Sequence, residues 1–337
     1  MSTEPSHLRG VPKPHRGAGP AMDKLHTFKL MVRARVLEER MISMQKSGNS
    51  FFWIGGPGEE GFNVPLGLQV KKGQGLDHDY LHLHYRSSAI MLAMGMDPID
   101  ALRQAGSKAT DPFSGGRNFV NHYAVPQWNV VPGSSPIEVQ YSVAPGTARA
   151  QKRHGGDGIT IVNGGDAGTA EADFATCLNW SSQPNWELPI LILVVNNKWG
   201  ISTPFDEVHG DRIIVRRAES FGIRWDVVDG NDPEASWSRL AEAMAYVRAE
   251  RKPFALEAMV SRLNGHSSSS GANRVDDEPD CVRDFGERLI EEGLITRDEV
   301  DALVEQNTKE MGTLSERVRA EPEPEPSTAY DHIFTES

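Results

Sequence analysis

Apolar residues recur along this chain with two different periods, and the places where the period changes predict its elements. Across residues 26–45, Leu30, Ala34, Leu37 and Met41 return every three or four positions along one face, which predicts a packing helix. A short β-branched run at 159–163 predicts a strand; a Gly-rich turn, an Ala-rich stretch and the run ILILVV follow, so the segment reads strand, turn, helix, strand. Two such parallel strands lie side by side and open onto one carboxyl edge, where α/β sheets bind ligands. Residues 80–85 alternate polar and apolar before a helical run takes over. Gly and Pro dominate 55–67, and Gly and Ser recur through 114–133, marking loops within one domain. Residues 261–280 are small and aperiodic, which predicts a long mobile loop. Thr296 and Glu299 form a capping-box pattern opening a helix toward Arg319. Alternating Glu and Pro at 321–326 stop it, and the tail beyond offers Tyr330, Ile333 and Phe334 as docking points. The expected fold is α/β, a mainly parallel sheet flanked by helices with a C-terminal helical extension. It occupies residues 21–320, between a mobile tail at 1–20 and an acidic, Pro-rich tail at 321–337.

Composition narrows the class. At 337 residues, 38% hydrophobic with 32 Gly, the chain can bury one large core. A net charge of -12 argues against nucleic acid or an anionic membrane as partner, and no apolar run is long enough to predict a transmembrane helix. Residues 1–20 lack the apolar region of a secretory signal. Cys177 and Cys281 are too few for a disulfide framework or a zinc site, so the expected location is the cytoplasm.

The candidate chemistry lies in four places. Gly165-Asp166 follows the first strand and Asn196-Asn197 ends the second. A bare carboxylate in a phosphate-facing turn would repel its ligand, whereas a hard cation held by Asp166, the Asn197 amide oxygen and a backbone carbonyl would bridge to a diphosphate. Magnesium suits that oxygen set. Each piece alone reads equally as plain turn chemistry. A nicotinamide site is the competing reading, but the turn lacks GxGxxG and no Walker GxxxxGK[ST] is present. Tyr85-Arg86 offers a phenol and a fork of donors suited to phosphate, or else a solvated Arg beside a half-buried Tyr. His266 reads from the residues alone as an exposed loop His, and 133–140 as a Gly-Ser-Pro loop leading into a strand.

Taken in order, these residues resemble a family. The Gly-Asp turn with a downstream Asn-Asn resembles the thiamine diphosphate enzymes. From about Leu25 onward GPGEEG, HYRSSAIM, SSPIEVQ, NNKWGISTP, VDGNDP and RLNGHSSSS resemble the α-subunit of the decarboxylating component of 2-oxo acid dehydrogenase complexes. ISTP and VDGNDP favour the branched-chain type over a pyruvate or acetoin type. The resemblance implies a thiamine diphosphate-binding fold, oxidative decarboxylation of a small 2-oxo acid, and acyl transfer to lipoamide on a lipoyl-bearing acyltransferase. It implies an α2β2 heterotetramer with a β-subunit whose Glu activates the cofactor. By the same resemblance Tyr85, Arg86, Ser135, Ile137, Gly165, Ala167, Gly168, Asn197, Arg262 and His266 contact cofactor, with His266 also catalytic; Asp166, Asn197 and Trp199 hold magnesium. Ser267 matches a serine phosphorylated in mammalian relatives. A potassium site is implied near Ser134, Pro136, Val139 and Gln140, although Val139 lacks the hydroxyl that the family's Thr supplies.

Two more departures bear on activity. Ala167 stands where the turn has its second Gly, and Val195 where branched-chain members carry a phosphate-contacting Arg; Lys198 stands nearby as a substitute charge. These leave a second reading open, a catalytically silent relative kept as a structural or regulatory partner.

Overall fold

The computed structural model describes residues 21–331, apart from 276, and residue 333. The readings made for residues 1–20 and for Phe334 lie outside the described residues. Five strands, β1 (Tyr80–His82), β2 (Thr160–Gly165), β3 (Ile190–Asn196), β4 (Arg224–Asp229) and β5 (Phe254–Met259), form one parallel sheet in the order β1-β2-β3-β5-β4. The helices are α1 (Lys24–Lys46), α2 (Glu60–Gln69), α3 (Ser88–Ala93), α4 (Pro98–Ala105), α5 (Val139–Arg153), α6 (Ala172–Ser181), α7 (Phe205–Val208), α8 (Pro233–Glu250), α9 (Cys281–Glu291) and α10 (Arg297–Arg319).

A parallel sheet is covered on both faces, so its central strand is apolar at every position instead of every second one. β3 shows this directly. Leu191, Leu193 and Val195 enter the core built by α1–α4 and α8–α10, while Ile190, Ile192 and Val194 enter a second core with Tyr141 and Ala144 of α5 and Phe174 and Leu178 of α6.

Local chemistry sets the helix ends. Asp23 caps α1 by accepting from His26 N–H at 2.9 Å, and Asp232 caps α8 ahead of Pro233. Thr296 and Glu299 form the expected capping box, and α10 ends at Arg319 as the Glu-Pro run begins. Among the described residues the tail beyond docks by charge and not through Tyr330 or Ile333. Glu321 receives Arg103 at 2.8 Å, Glu323 pairs with Lys108, and Ala109 N–H donates to Pro322 O at 3.0 Å. Tyr330 and Ile333 stay 81% and 56% exposed.

Two expectations change. The Gly-Ser-Pro segment leads into α5 at Val139, a helix, and not into a strand. The 261–280 interval is pinned instead of free: Leu263 N–H donates to Pro57 O at 2.9 Å, Ser268 N–H to Trp53 O at 2.8 Å and Val275 N–H to Leu263 O at 2.8 Å. Gly58 makes this possible, since at φ +108 an added Cβ would lie 2.5 Å from Ser261 O. Neither feature has a hydrophobic period to announce it.

Buried ion pairs join the GPGEEG loop to the helices. Arg35 of α1 reaches Glu60 at 2.7 Å and Asp280, the α9 cap, at 3.0 Å, and Arg274 also reaches Asp280 at 2.6 Å. Replacing Arg35 by Met leaves both carboxylates without their buried cation and should cost about 3–5 kcal/mol by chemical denaturation at neutral pH. Burial works against a charged Asp280, but Arg35 and Arg274 outweigh it and hold the carboxyl at about 2. Its folded value lies below the unfolded one, so its stabilisation is complete above about pH 4 and is lost as pH falls further toward 2. Denaturation series at several acid pH values should show that loss for the native chain and a flatter profile for Arg35→Met.

Candidate functional site

Parallel pairing brings every strand's last residue to one edge. Gly165 stands in register with Val195, so Asp166 leaves β2 beside Asn196 and Asn197, which leave β3. Tyr85 and Arg86 follow β1, and Arg262 and His266 follow β5, itself the neighbour of β3.

Asp166 is 2% exposed. Its carboxylate accepts from the backbone N–H groups of Asp166 and Asn197, while Oδ2 has no hydrogen-bond partner. Burial pushes its pKa up to about 6. An unpartnered buried carboxylate oxygen is costly, and a cation is the natural group to satisfy it. Asn197 turns its amide nitrogen to Glu59 Oε1 at 3.4 Å, and its Oδ1 accepts from Trp199 N–H at 3.2 Å. No three His, Cys, Asp or Glu side chains cluster among the described residues. A carboxylate, an amide oxygen and a backbone carbonyl are instead the hard oxygen set that magnesium takes.

The Asp166 turn is braced from outside. Arg217 can only donate, so its 3.0 Å contact to His209 Nδ1 fixes the proton on Nε2, which donates to Asp166 O at 2.9 Å. Ala167 has no positive φ, so its Cβ carries no backbone strain. Gly168 faces Glu138, where a Cβ would collide with the carboxylate stem. Val195 is buried in the core, and Lys198 has a positive φ of 67 with its N–H on Asn196 Oδ1.

Arg86 is buried and shared. Its Nε lies 3.7 Å from Glu59 Oε1, its Nη2 3.1 Å from His266 Nδ1, and its Nη1 donates to Gly55 O. Arg is donor-only, so His266 Nδ1 accepts and the ring proton sits on Nε2. Burial and the charges of Arg86 and Arg262 lower His266 to about 4, which keeps it neutral near pH 7. Tyr85 packs on His84 with ring centroids 3.7 Å apart, and burial raises its pKa. Arg262 donates to Gly200 O at 2.7 Å and lies 5.8 Å from the Trp199 ring centroid.

Ser135 hydroxyl lies 3.3 Å from His122 Nε2, whose Nδ1–H donates to Val120 O at 2.9 Å. Ile137 is 54% exposed beside it. A cavity of about 340 Å³ opens here, lined by Phe51, Phe52, Phe119, Val120, Arg117 and Ser135. Ser267 is buried and caps a short turn, its Oγ accepting from Ser269 N–H at 3.3 Å.

Four contributors escaped the sequence reading: Glu59, Glu138, His122 and His209. Burial pushes Glu59 and Glu138 each up to about 8. Glu59 was visible within GPGEEG, but a carboxylate is an unexpected neighbour for an anion site. Glu138 was likewise visible within SSPIEVQ, and no local pattern announced His122 or His209.

The 2-oxoisovalerate dehydrogenase subunit alpha of Bacillus subtilis is 27% identical over 315 residues, covering 91% of this chain and 94% of its own length. The mitochondrial subunit of Mus musculus is 26% identical over 94% of this chain and 72% of its own length; that of Homo sapiens is 26% identical over 93% and 70%. The family model described as dehydrogenase E1 component matches residues 28–327, the span that carries both the sheet and the loops at its carboxyl edge, and this chain belongs to that family.

Proposed function

We propose that this chain is the α-subunit of a branched-chain 2-oxo acid dehydrogenase, active with a separate β-subunit in an α2β2 assembly and binding thiamine diphosphate through magnesium. The observation that carries the reading is the orphaned, buried Oδ2 of Asp166 beside Asn197, within one loop cluster with Arg86 and His266. Asp166, Asn197 and the Trp199 carbonyl would hold magnesium; Gly165, Ala167 and Gly168 would shape the turn under the diphosphate, with Tyr85, Arg86 and Arg262 donating to it. Ser135 and Ile137 would meet the rings. Thiamine diphosphate, when bound, supplies the nucleophilic carbon and the electron sink for loss of carbon dioxide from a 2-oxo acid.

The chain's own residues do the rest by position. His266, neutral with its proton on Nε2, is a hydrogen-bond donor for an oxygen that gains negative charge. Arg86 is held between Glu59 and His266, so it meets the ligand already oriented. The phenylalanines around the cavity beside Ser135 suit a branched aliphatic side chain better than the methyl of pyruvate, a preference of about 1–3 kcal/mol per methylene. The acyl unit would pass to a lipoyl-bearing acyltransferase. Two buried thiols fit a reducing cytoplasm, and no helix among the described residues is long and apolar enough to cross a membrane.

Calorimetric titration of the co-purified α and β chains with thiamine diphosphate should show magnesium-dependent binding. Asp166→Ala should abolish it, and unchanged binding in that variant would sink the assignment. His266→Ala should lower kcat by about 10²–10³, with a smaller change in cofactor affinity; an affinity loss of equal size would make His266 an anchor and not a catalytic donor.

A further inference from the structure

One buried acid in this site has a conformation its residue type rarely adopts. Glu138 caps the N-terminus of α5 at φ 59 and ψ 11, in the left-handed region, and is only 3% exposed. Non-glycine residues are held there only when surrounding contacts over-determine them. Those contacts run to the Asp166 turn and to Gln140 of α5. Glu138 Oε1 accepts from Gly165 N–H at 2.9 Å, and Oε2 accepts from Gln140 Nε2 at 3.1 Å. The same Nε2 donates to Asn163 O at 3.1 Å. Gly164 and Gly168 lack side chains where the Glu138 side chain passes, since a Cβ on either would collide with it.

The chain of bonds continues. Asn163 Oδ1 accepts from His84 N–H at 2.8 Å and its Nδ2 donates to Ser87 Oγ at 3.3 Å, bracketing Tyr85 and Arg86 from both sides. Three site segments, 134–138, 165–168 and 84–87, are thereby tied through Glu138, Gln140 and Asn163.

The same geometry bears on the potassium site. A carbonyl such as Asn163 O can only accept, so Gln140 turns its NH₂ toward it and its Oε1 takes no part in that contact. Val139 has no side-chain oxygen, so one of the four positions at which a potassium ion was expected lacks the hydroxyl the family supplies there.

We infer that Glu138 is a positioning residue, a built-in strut that locks the α5 loop onto the Asp166 turn, and that this loop is held by the strut without a potassium ion. Its effect on the cofactor rests on the function proposed above, whereas its effect on stability does not. The full-length chain, co-purified with its β-subunit, should keep the same Tm when potassium chloride is replaced by choline chloride at matched ionic strength. Glu138→Ala should lower Tm equally in both salts and weaken magnesium-dependent thiamine diphosphate binding by about 10–100-fold. Glu138→Gln keeps an acceptor for Gly165 N–H and should restore most of both.

A potassium-specific rise in the native Tm that Glu138→Ala removes would make Glu138 a cation ligand and overturn the inference. Native-like Tm and affinity in Glu138→Ala would overturn it as well. If Glu138→Ala does not fold, the native salt comparison and Glu138→Gln still decide it. If the native complex binds no thiamine diphosphate, the function falls while the Tm comparison still judges the strut.

Discussion

The parallel alignment of five strands is the constraint on which the rest depends. Parallel pairing sends every strand's carboxyl end to the same edge, so residues some 180 positions apart, such as Arg86 and His266, meet without any special loop design. It also demands cover on both faces. That is why β3 is buried throughout and apolar up to Asn196, and why α1, α9 and α10, remote in sequence, converge on one core. The cluster of candidate site residues is thus a by-product of how the sheet is paired.

Buried charge then specifies the site. Arg86 faces Glu59 on one side and His266 on the other, so the guanidinium's orientation is set before any anion arrives. Burial and nearby cations oppose protonation of His84 and His266, and His266, His122 and His209 each have their tautomer fixed by a partner that can only donate or only accept. Glu38 shows the same economy farther back, accepting from Trp53 Nε1 at 2.9 Å and from Ser88, and so holding the floor under Gly55. Among the buried atoms at this edge without a hydrogen-bond partner is one carboxylate oxygen of Asp166.

Much of this was legible from residues alone. The two parallel strands, the first helix and the α10 capping box follow from periodicity and turn chemistry, which are local. The Gly-Asp and Asn-Asn pairs lie side by side as expected, because both stand at the carboxyl ends of neighbouring parallel strands. The 261–280 interval was read as mobile, since its order comes from backbone bonds to residues 53–58, and such bonds leave no side-chain pattern. The tail was misjudged in its means of docking because Glu321 and Glu323 read as solvated charges until Arg103 and Lys108 stand opposite them. Glu59, Glu138 and His209 were missed for a related reason. Each acts by holding a neighbour, and a holding role is defined by three-dimensional proximity and not by residue type.

The proposed function is tested most directly by release of carbon dioxide from 3-methyl-2-oxobutanoate by the co-expressed α and β chains, followed with an artificial electron acceptor. Turnover that requires both chains, thiamine diphosphate and magnesium, and that favours the branched 2-oxo acid over pyruvate, is the predicted result. A complex that binds the cofactor yet releases carbon dioxide from no 2-oxo acid would contradict it.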